Sequence, residues 1–120
     1  MTEPAAAFVF ADPSGVIRIW TPPAERLFGH RAADAIGQTL DLIVPSYYRE
    51  RHWAGYRAAM SAGDGNIDHS SFNIPALHRD GTIIRVEVRL LVIHDSRNRA
   101  AGAMAVFVPA DDRAPPLPRL

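Results

Sequence analysis

The sequence has no cysteine, and it also has no lysine, because all 13 of its basic residues are arginine. The first absence excludes disulfides, thiolate metal sites, cysteine nucleophiles and any flavin or other chromophore attached through sulfur. The second excludes a Schiff-base lysine and a phosphate-binding loop of the usual lysine-containing kind. Any cofactor must therefore be held by histidine, methionine, tyrosine, a carboxylate or the shape of its pocket.

The net charge and the hydropathy of the chain also argue against two kinds of partner, nucleic acid and membranes. The 13 acidic residues cancel the 13 basic ones, and this neutral chain lacks the basic patch that binds nucleic acid or an anionic membrane. No window approaches the roughly 18 consecutive apolar residues of a membrane span. Residues 1–7 lack the positive start of a secretory signal. We therefore expect a cytoplasmic protein with no nucleic-acid or membrane partner.

The length of 120 residues and the apolar content of 48% are typical of one globular domain. The last residues, PADDRAPPLPRL, are rich in proline and charge and are predicted not to pack. We expect an N-terminal tail over residues 1–5, one folded domain over residues 6–108 and a proline-rich tail over residues 109–120.

The order of patterns along the chain predicts an α+β fold. Strands are predicted over residues 8–10, 16–20, 67–77, 82–93 and 101–108, and helices over residues 24–29, 31–37 and 47–62. Thr21 is the expected cap of the first helix, which opens on two prolines. Because no βαβ alternation occurs, we predict a five-stranded antiparallel sheet with the helices on one face. A ligand would then lie between the long helix and the sheet.

The predicted long helix carries the most informative histidine. Tyr48, His52, Tyr56 and Met60 are spaced four apart and form one stripe, which Trp53 widens. A histidine on such a stripe must find a partner or lose a hydrogen bond, at a cost of about 1–3 kcal/mol. The residues alone leave two interpretations open, a packed core histidine and a metal ligand.

Other chemistry has little support. No serine lies in a GxSxG turn, no glycine-rich loop follows a strand, and the histidines show no HExxH spacing typical of zinc sites. Asp12, Asp80 and Asp95 are predicted to be turn residues. We therefore expect a protein that is not an enzyme.

The stretch GVIRIWTPPAERLFGHRAADAIGQTL resembles the hairpin and first helices of the PAS family, with Thr21 at a position that usually holds Asn. The pairing of HRDGT with a following VEV strand is similar to the C-terminal strand pair of that family. The resemblance covers residues 6–108 and implies a PAS fold and a sensory role, although fold alone does not define a ligand.

The segment DLIVPSYYRERHWAGYRAAMSAGDG resembles the long-helix region of haem-binding PAS sensors of the FixL and DOS type. That resemblance implies a haem b whose iron is ligated by His52, with Tyr56 nearby. The remaining haem-lining residues that it implies are Met60 and Leu77 on the helix side, and Ile67, Val88 and Leu90 on the opposite, distal side.

Two departures from those sensors bear on what is sensed. The position where the FixL type has an oxygen-binding arginine is Phe72, and the position where the DOS type has a methionine ligand is Ser70. The resemblance therefore implies a largely apolar distal side for O2, CO or NO, which favours CO or NO over tight O2 binding. His69 as a sixth iron ligand is the competing possibility.

The resemblance leaves other functions open. One is a haem-free PAS module that binds a small molecule or dimerises, in which His52 is merely packed. Another is a haem-dependent enzyme of the peroxidase or oxygenase kind. Analogy with the family also suggests a homodimer formed through the apolar N-terminal hairpin, and a signalling partner that the sequence does not identify.

Overall fold

A five-stranded antiparallel sheet, in the order β2-β1-β5-β4-β3, is the framework of the chain. The computed structural model describes residues 6–62 and 72–109. The elements are β1 (Ala7–Ala11), β2 (Ile17–Trp20), α1 (Pro22–Phe28), α2 (Ala32–Ala35), α3 (Arg49–Ala62), β3 (Phe72–Leu77), β4 (Ile83–His94) and β5 (Ala100–Pro109), with single 3-10 turns at Leu40–Leu42 and Ser46–Tyr48. The predicted α+β class and antiparallel sheet are confirmed.

Some predicted boundaries differ from those observed. The first turn of the predicted long helix is a 3-10 turn, and the α-helix itself begins at Arg49. Residues 67–71 of the predicted third strand, and most of both predicted tails, lie outside the described residues.

Thr21 does not cap α1 with its side chain, contrary to the prediction. A cap accepts from the backbone N–H of the second or third helix residue, and because the second is Pro23, only the N–H of Ala24 is available. The Thr21 hydroxyl instead accepts a hydrogen bond from the backbone N–H of Phe8 at 3.0 Å. The side chain thus joins the start of α1 to β1.

Aspartates stabilise the tight turns, as predicted. The Asp12 carboxylate accepts from the backbone N–H groups of Ser14 and Val16, at 2.9 and 3.0 Å, and from Arg18 Nε at 3.0 Å. These bonds hold the pKa of Asp12 below its usual value, although partial burial opposes them as the largest single contribution. Asp80 and Asp95 accept backbone N–H groups in the two later turns in the same way.

The sheet has one covered face, called here the inner face. On it, Phe107 of β5 lies between Ala7 and Val88, and Ala105 lies between Val9 and Leu90. Phe28 of α1 packs edge-on against Phe107, with ring centres 5.0 Å apart, and contacts Trp20 at 5.5 Å. The core therefore joins α1 to the middle of the sheet through aromatic rings. No helix in the described ranges is long and apolar enough to cross a membrane.

Replacing the fully buried Phe28 with alanine should lower the free energy of unfolding by about 3–5 kcal/mol, because a ring-sized cavity is left in the core. Phe8→Ala, at a phenylalanine that is 41% exposed, should cost less than about 1 kcal/mol. Urea denaturation followed by circular dichroism measures both values. Equal losses for the two variants would contradict the assigned core.

Candidate functional site

His52 lies near the start of α3, and its side chain is half-buried. The Nδ1 atom is inaccessible to solvent and has no hydrogen-bond partner among the residues that the structure describes. Burial lowers the pKa of His52 to about 4, against a smaller raising effect of the Asp41 charge. The imidazole is therefore neutral at physiological pH, which is the form that ligates metals.

Two aromatic rings lie beside this imidazole. The Trp53 ring is 4.8 Å from it, centre to centre, in an edge-to-face arrangement, and the Tyr56 ring is 5.9 Å from it. Met60 follows one turn later and is also half-buried. The members of the predicted stripe that lie in α3 are therefore confirmed on its covered face, whereas Tyr48 lies in the preceding 3-10 turn.

Trp53 and Tyr56 connect α3 by hydrogen bonds to the loop at Asp41 and to the turn of the first hairpin. The indole N–H of Trp53 donates to Asp41 Oδ1 at 2.7 Å. The Tyr56 hydroxyl donates to the backbone carbonyl of Asp12 at 2.5 Å, and the carbonyl oxygen of Ala11 is 3.2 Å away. Burial, helped by the Asp12 charge, raises the pKa of Tyr56 to about 12. The hydroxyl therefore stays a donor at physiological pH.

Arg49 fixes the start of α3 to the preceding loop. Its guanidinium donates to the backbone carbonyls of Val44 and Asp41 at 3.1 and 3.3 Å. The Asp41 carboxylate is 3.7 Å from Arg49 Nε, but both side chains are about 40% exposed, so this ion pair adds little stability. Asp41 thus touches both Arg49 and Trp53 and helps orient the helix that carries His52.

Three of the predicted pocket residues of the sheet share the inner face. Phe72 of β3 pairs directly with Val88 of β4, and both are buried. Leu90 pairs with Ala105 and packs against the core. The structure therefore brings Phe72, Val88 and Leu90 together on the side of the sheet that the helices cover.

The structure does not bring Leu77 to that face, which corrects the prediction. Side chains alternate along a strand, and Phe72 and Ala76 point to the inner face. Leu77 is an odd number of residues from Phe72, so it belongs to the other face, paired with the exposed Ile83. Ile67, His69 and Ser70 lie outside the described residues, so their predicted roles have no structural description here.

Small side chains occupy the inner face near the end of the sheet where α3 is attached. Ala103 of β5 pairs with Ala11 of β1, the residue whose carbonyl lies beside the Tyr56 hydroxyl. Ala105 follows on the same face, and α3 packs against β5. At these two positions the sheet presents only methyl groups to the elements that cover its inner face.

A groove of about 220 Å³ lies elsewhere, at the edge of the sheet. None of its lining residues is a predicted site residue; they are Tyr47, Tyr48, Arg51, Asn73, Ile74, Pro75 and Arg85. Within residues 6–62 and 72–109, no three histidine or acidic side chains are grouped as a metal site would require.

Sequence reasoning missed Asp41 and Gly15 as parts of the site. Asp41 is 12 residues from Trp53, and the Trp53 ring lies directly against Gly15 in the first hairpin. The turn sequence predicts a glycine at position 15, but not which side chain covers it. An aspartate inside an otherwise apolar segment, at Asp41, was the available signal.

The comparisons identify the family. The profile of the PAS fold matches residues 3–109, so the chain belongs to the PAS family. An uncharacterised protein of Azorhizobium caulinodans is 28% identical over 103 residues, covering 85% of this chain and 14% of that protein. The sensor protein FixL of Bradyrhizobium diazoefficiens is 32% identical over 76 residues, covering 63% of this chain and 15% of FixL. The chain thus spans about one-seventh of these relatives.

Solved structures agree on the fold. The PAS domain of a Colwellia psychrerythraea protein superposes with a TM-score of 0.75 at 25% identity, covering 90% of this chain and 88% of that one. A light-oxygen-voltage domain studied with a flavin analogue gives 0.67 at 14% identity, with coverages of 89% and 78%. A Burkholderia thailandensis PAS domain in complex with ethanol gives 0.62 at 18%, with coverages of 86% and 87%.

The pKa of His52 can be measured directly. Proton NMR of the imidazole protons should show one of the five histidines titrating near pH 4, and His52→Gln should remove that signal. Because the folded-state pKa is below the ordinary 6.5, His52 should stabilise the fold above pH 6.5 and lose that contribution as pH falls toward 4. A titration of His52 near pH 6.5 would contradict its burial.

Tyr56→Phe should lower the free energy of unfolding by about 0.5–1.5 kcal/mol, because the hydrogen bond to the hairpin is lost. Absorbance titration of tyrosinate should show one tyrosine ionising near pH 12 in the wild type and none that late in Tyr56→Phe. Since the ordinary pKa is 10, Tyr56 should lose its stabilising effect as pH rises from 10 toward 12. Tyr47→Phe, at a side chain that is 70% exposed, is the control and should leave stability unchanged.

Proposed function

We propose that this PAS domain is a sensor that binds haem b through His52 and responds to a diatomic gas at the haem iron. The observation that carries the proposal is the buried Nδ1 atom of His52, which has no hydrogen-bond partner within residues 6–62 and 72–109. A buried polar atom without a partner costs about 1–3 kcal/mol, and native structures retain few of them without a functional reason. The partial identity to FixL supports the same assignment.

The chemistry of His52 and of the inner face of the sheet supports haem as the ligand. Haem needs a neutral imidazole on one side and an apolar slot around the macrocycle. Burial keeps His52 neutral, with a pKa of about 4. Phe72, Val88 and Leu90 would supply an apolar wall on the inner face of the sheet, next to the small side chain of Ala105. Met60 extends the covered face of α3.

The bound haem would supply an iron with an open coordination position for O2, CO or NO. The protein would contribute orientation and the exclusion of water. Phe72 has no hydrogen-bond donor to stabilise a polar bound gas, which favours CO or NO over tight O2 binding. His69 as a second iron ligand is the competing arrangement, and a spectrum distinguishes the two.

The attachment of α3 offers a path for the signal. Tyr56 and Trp53 hold α3 to the β1–β2 hairpin and to the loop at Asp41. A displacement of His52 would therefore also move the hairpin, because Trp53 and Tyr56 lie within about one turn of His52 on the same helix. The nearby side chains favour sensing over catalysis: Tyr56 keeps its proton up to about pH 12, and Asp41 is engaged by Trp53.

Titration of the purified protein with haemin tests the proposal. We expect a sharp Soret band that saturates at one haem per chain, and its loss in His52→Ala. His30→Ala is the matched control, because His30 is also half-buried but lies at the end of α1, and it should bind haem like the wild type. Ala105→Phe should weaken binding at least about tenfold by filling the slot.

Absence of a saturating band in the wild type, or equal binding by His52→Ala and His30→Ala, would refute the proposal and leave a haem-free small-molecule or dimerisation module. The reduced protein should give a five-coordinate, high-spin spectrum that shifts on addition of CO. A six-coordinate, low-spin spectrum without added gas would instead assign a second protein ligand and remove the open position.

A further inference from the structure

The groove at the edge of the sheet is lined by polar side chains that mostly donate hydrogen bonds. They are Tyr47, Tyr48, Arg51, Asn73 and Arg85. The arginines have only N–H donors, and the tyrosine hydroxyls donate as well as accept. The side-chain oxygen of Asn73 already accepts from Arg85 Nε at 3.0 Å, which leaves the amide NH2 group as a donor. A ligand that satisfies these side chains must therefore be rich in acceptors.

The groove also has positive charge that its own lining does not balance. Arg51 and Arg85 line it, whereas no aspartate or glutamate does. Glu87 of β4 pairs in register with Asn73, yet in the part of the chain that the structure describes neither arginine forms an ion pair with any carboxylate. The whole chain has equal numbers of acidic and basic residues, so the excess is local to the groove. An anion that contacts both guanidinium groups would offset it.

Contacts within the lining restrain both guanidinium groups. Arg85 is held by its hydrogen bond to Asn73 of the neighbouring strand. Arg51 lies over the Tyr48 ring, with Cζ 5.7 Å from the ring centre, which is within cation–π range. Burial raises the pKa of Tyr48, against a smaller lowering effect of the Arg51 charge, so its hydroxyl remains a donor at physiological pH. Donors that are already positioned lose less freedom when a ligand binds.

The remaining lining favours a ligand with an aromatic ring. Ile74 and Pro75 of β3 contribute apolar side chains, and the Tyr47 side chain is 70% exposed, so its ring face is accessible. Contact between two aromatic rings adds about 0.5–1.5 kcal/mol to the burial of their area. The volume of about 220 Å³ equals that of roughly seven water molecules. One aromatic ring with one acidic group is of that size.

We propose that the groove is a second ligand site, which binds a small aromatic acid through Arg51 and Arg85. The acidic group is a carboxylate or a phosphate, because a guanidinium can donate two parallel hydrogen bonds to either. The ring of the ligand lies against Tyr47. The site shares no residue with the proposed haem site, so it does not depend on haem binding. Because Arg51 directly precedes His52, the bound acid contacts the helix that carries the proposed iron ligand.

NMR titration of the haem-free protein tests the proposal, so that failure of haem binding does not affect the result. The probes are benzoate and phenyl phosphate. At least one of them should shift the backbone amide signals of Tyr48, Arg51 and Arg85 and saturate with a Kd of about 1 mM or lower. The probe with the lower Kd identifies the acidic group.

Two analogues separate the contributions of the charge and the ring. Benzamide has the shape of benzoate without the charge, and acetate has the charge without the ring. Each should bind at least about tenfold more weakly than the better aromatic acid, because each lacks one of the two kinds of contact.

Three arginine variants locate the site. Arg51→Gln and Arg85→Gln should each raise the Kd at least about tenfold, because each removes one charged donor group. Both side chains are exposed, so the fold should persist, which circular dichroism checks. Arg89→Gln is the matched control, because it removes the same charge from an exposed position four residues along β4 and outside the groove. It should leave the Kd unchanged.

Three results would overturn the proposal. One is the absence of saturation by both aromatic acids up to about 50 mM, well above the expected Kd. The second is equal binding of benzamide and the aromatic acids. The third is an equal effect of Arg85→Gln and Arg89→Gln, which would show that the acids respond to net charge and not to the groove.

Discussion

The hydrogen bond from the Tyr56 hydroxyl to the Asp12 carbonyl is the contact on which the site depends. It joins the one long helix to the turn of the first hairpin, across 44 residues of sequence. Together with the bond from Trp53 to Asp41, it determines which face of α3 is covered. That face carries His52, so the burial that keeps the imidazole neutral follows from how its two aromatic neighbours are bound.

Much of the fold could be predicted from the sequence because the strand, helix and turn patterns all indicate the same arrangement. Alternation identified β4 and β5, and the aspartate turns identified the hairpins between strands. The predictions that failed concerned side-chain contacts and strand faces that the order of residue types does not determine. Thr21 is a residue type that often caps helices, but Pro23 removes one of the two possible donors, and the hydroxyl accepts from β1 instead. Side chains alternate between the two faces of a strand, so Leu77 lies on the opposite face from its neighbour Ala76.

The site was predictable in part for the same reason. A spacing of four residues is a property of the helix itself, so the burial of His52 and Tyr56 could be derived from the sequence. The contacts of Asp41 and Gly15 could not, because each depends on how a loop meets α3 after folding. Membership of the PAS family supplies the framework, and the family is compatible with several ligands, so the proposal of haem depends on His52 in this chain.

Gly15 in the first hairpin turn and Trp53 in α3 limit which residue types can occupy each other's positions. Gly15 has a φ of +83°, which other residues rarely adopt, and the Trp53 ring occupies the space that a side chain would need, with two ring atoms 2.2 Å from an ideal Cβ position. Alanine at position 15 would strain the turn and also push the indole outward. Variation at position 15 is therefore constrained by a residue 38 positions later, and a viable replacement would require a smaller side chain at position 53 together with a turn that accepts a negative φ.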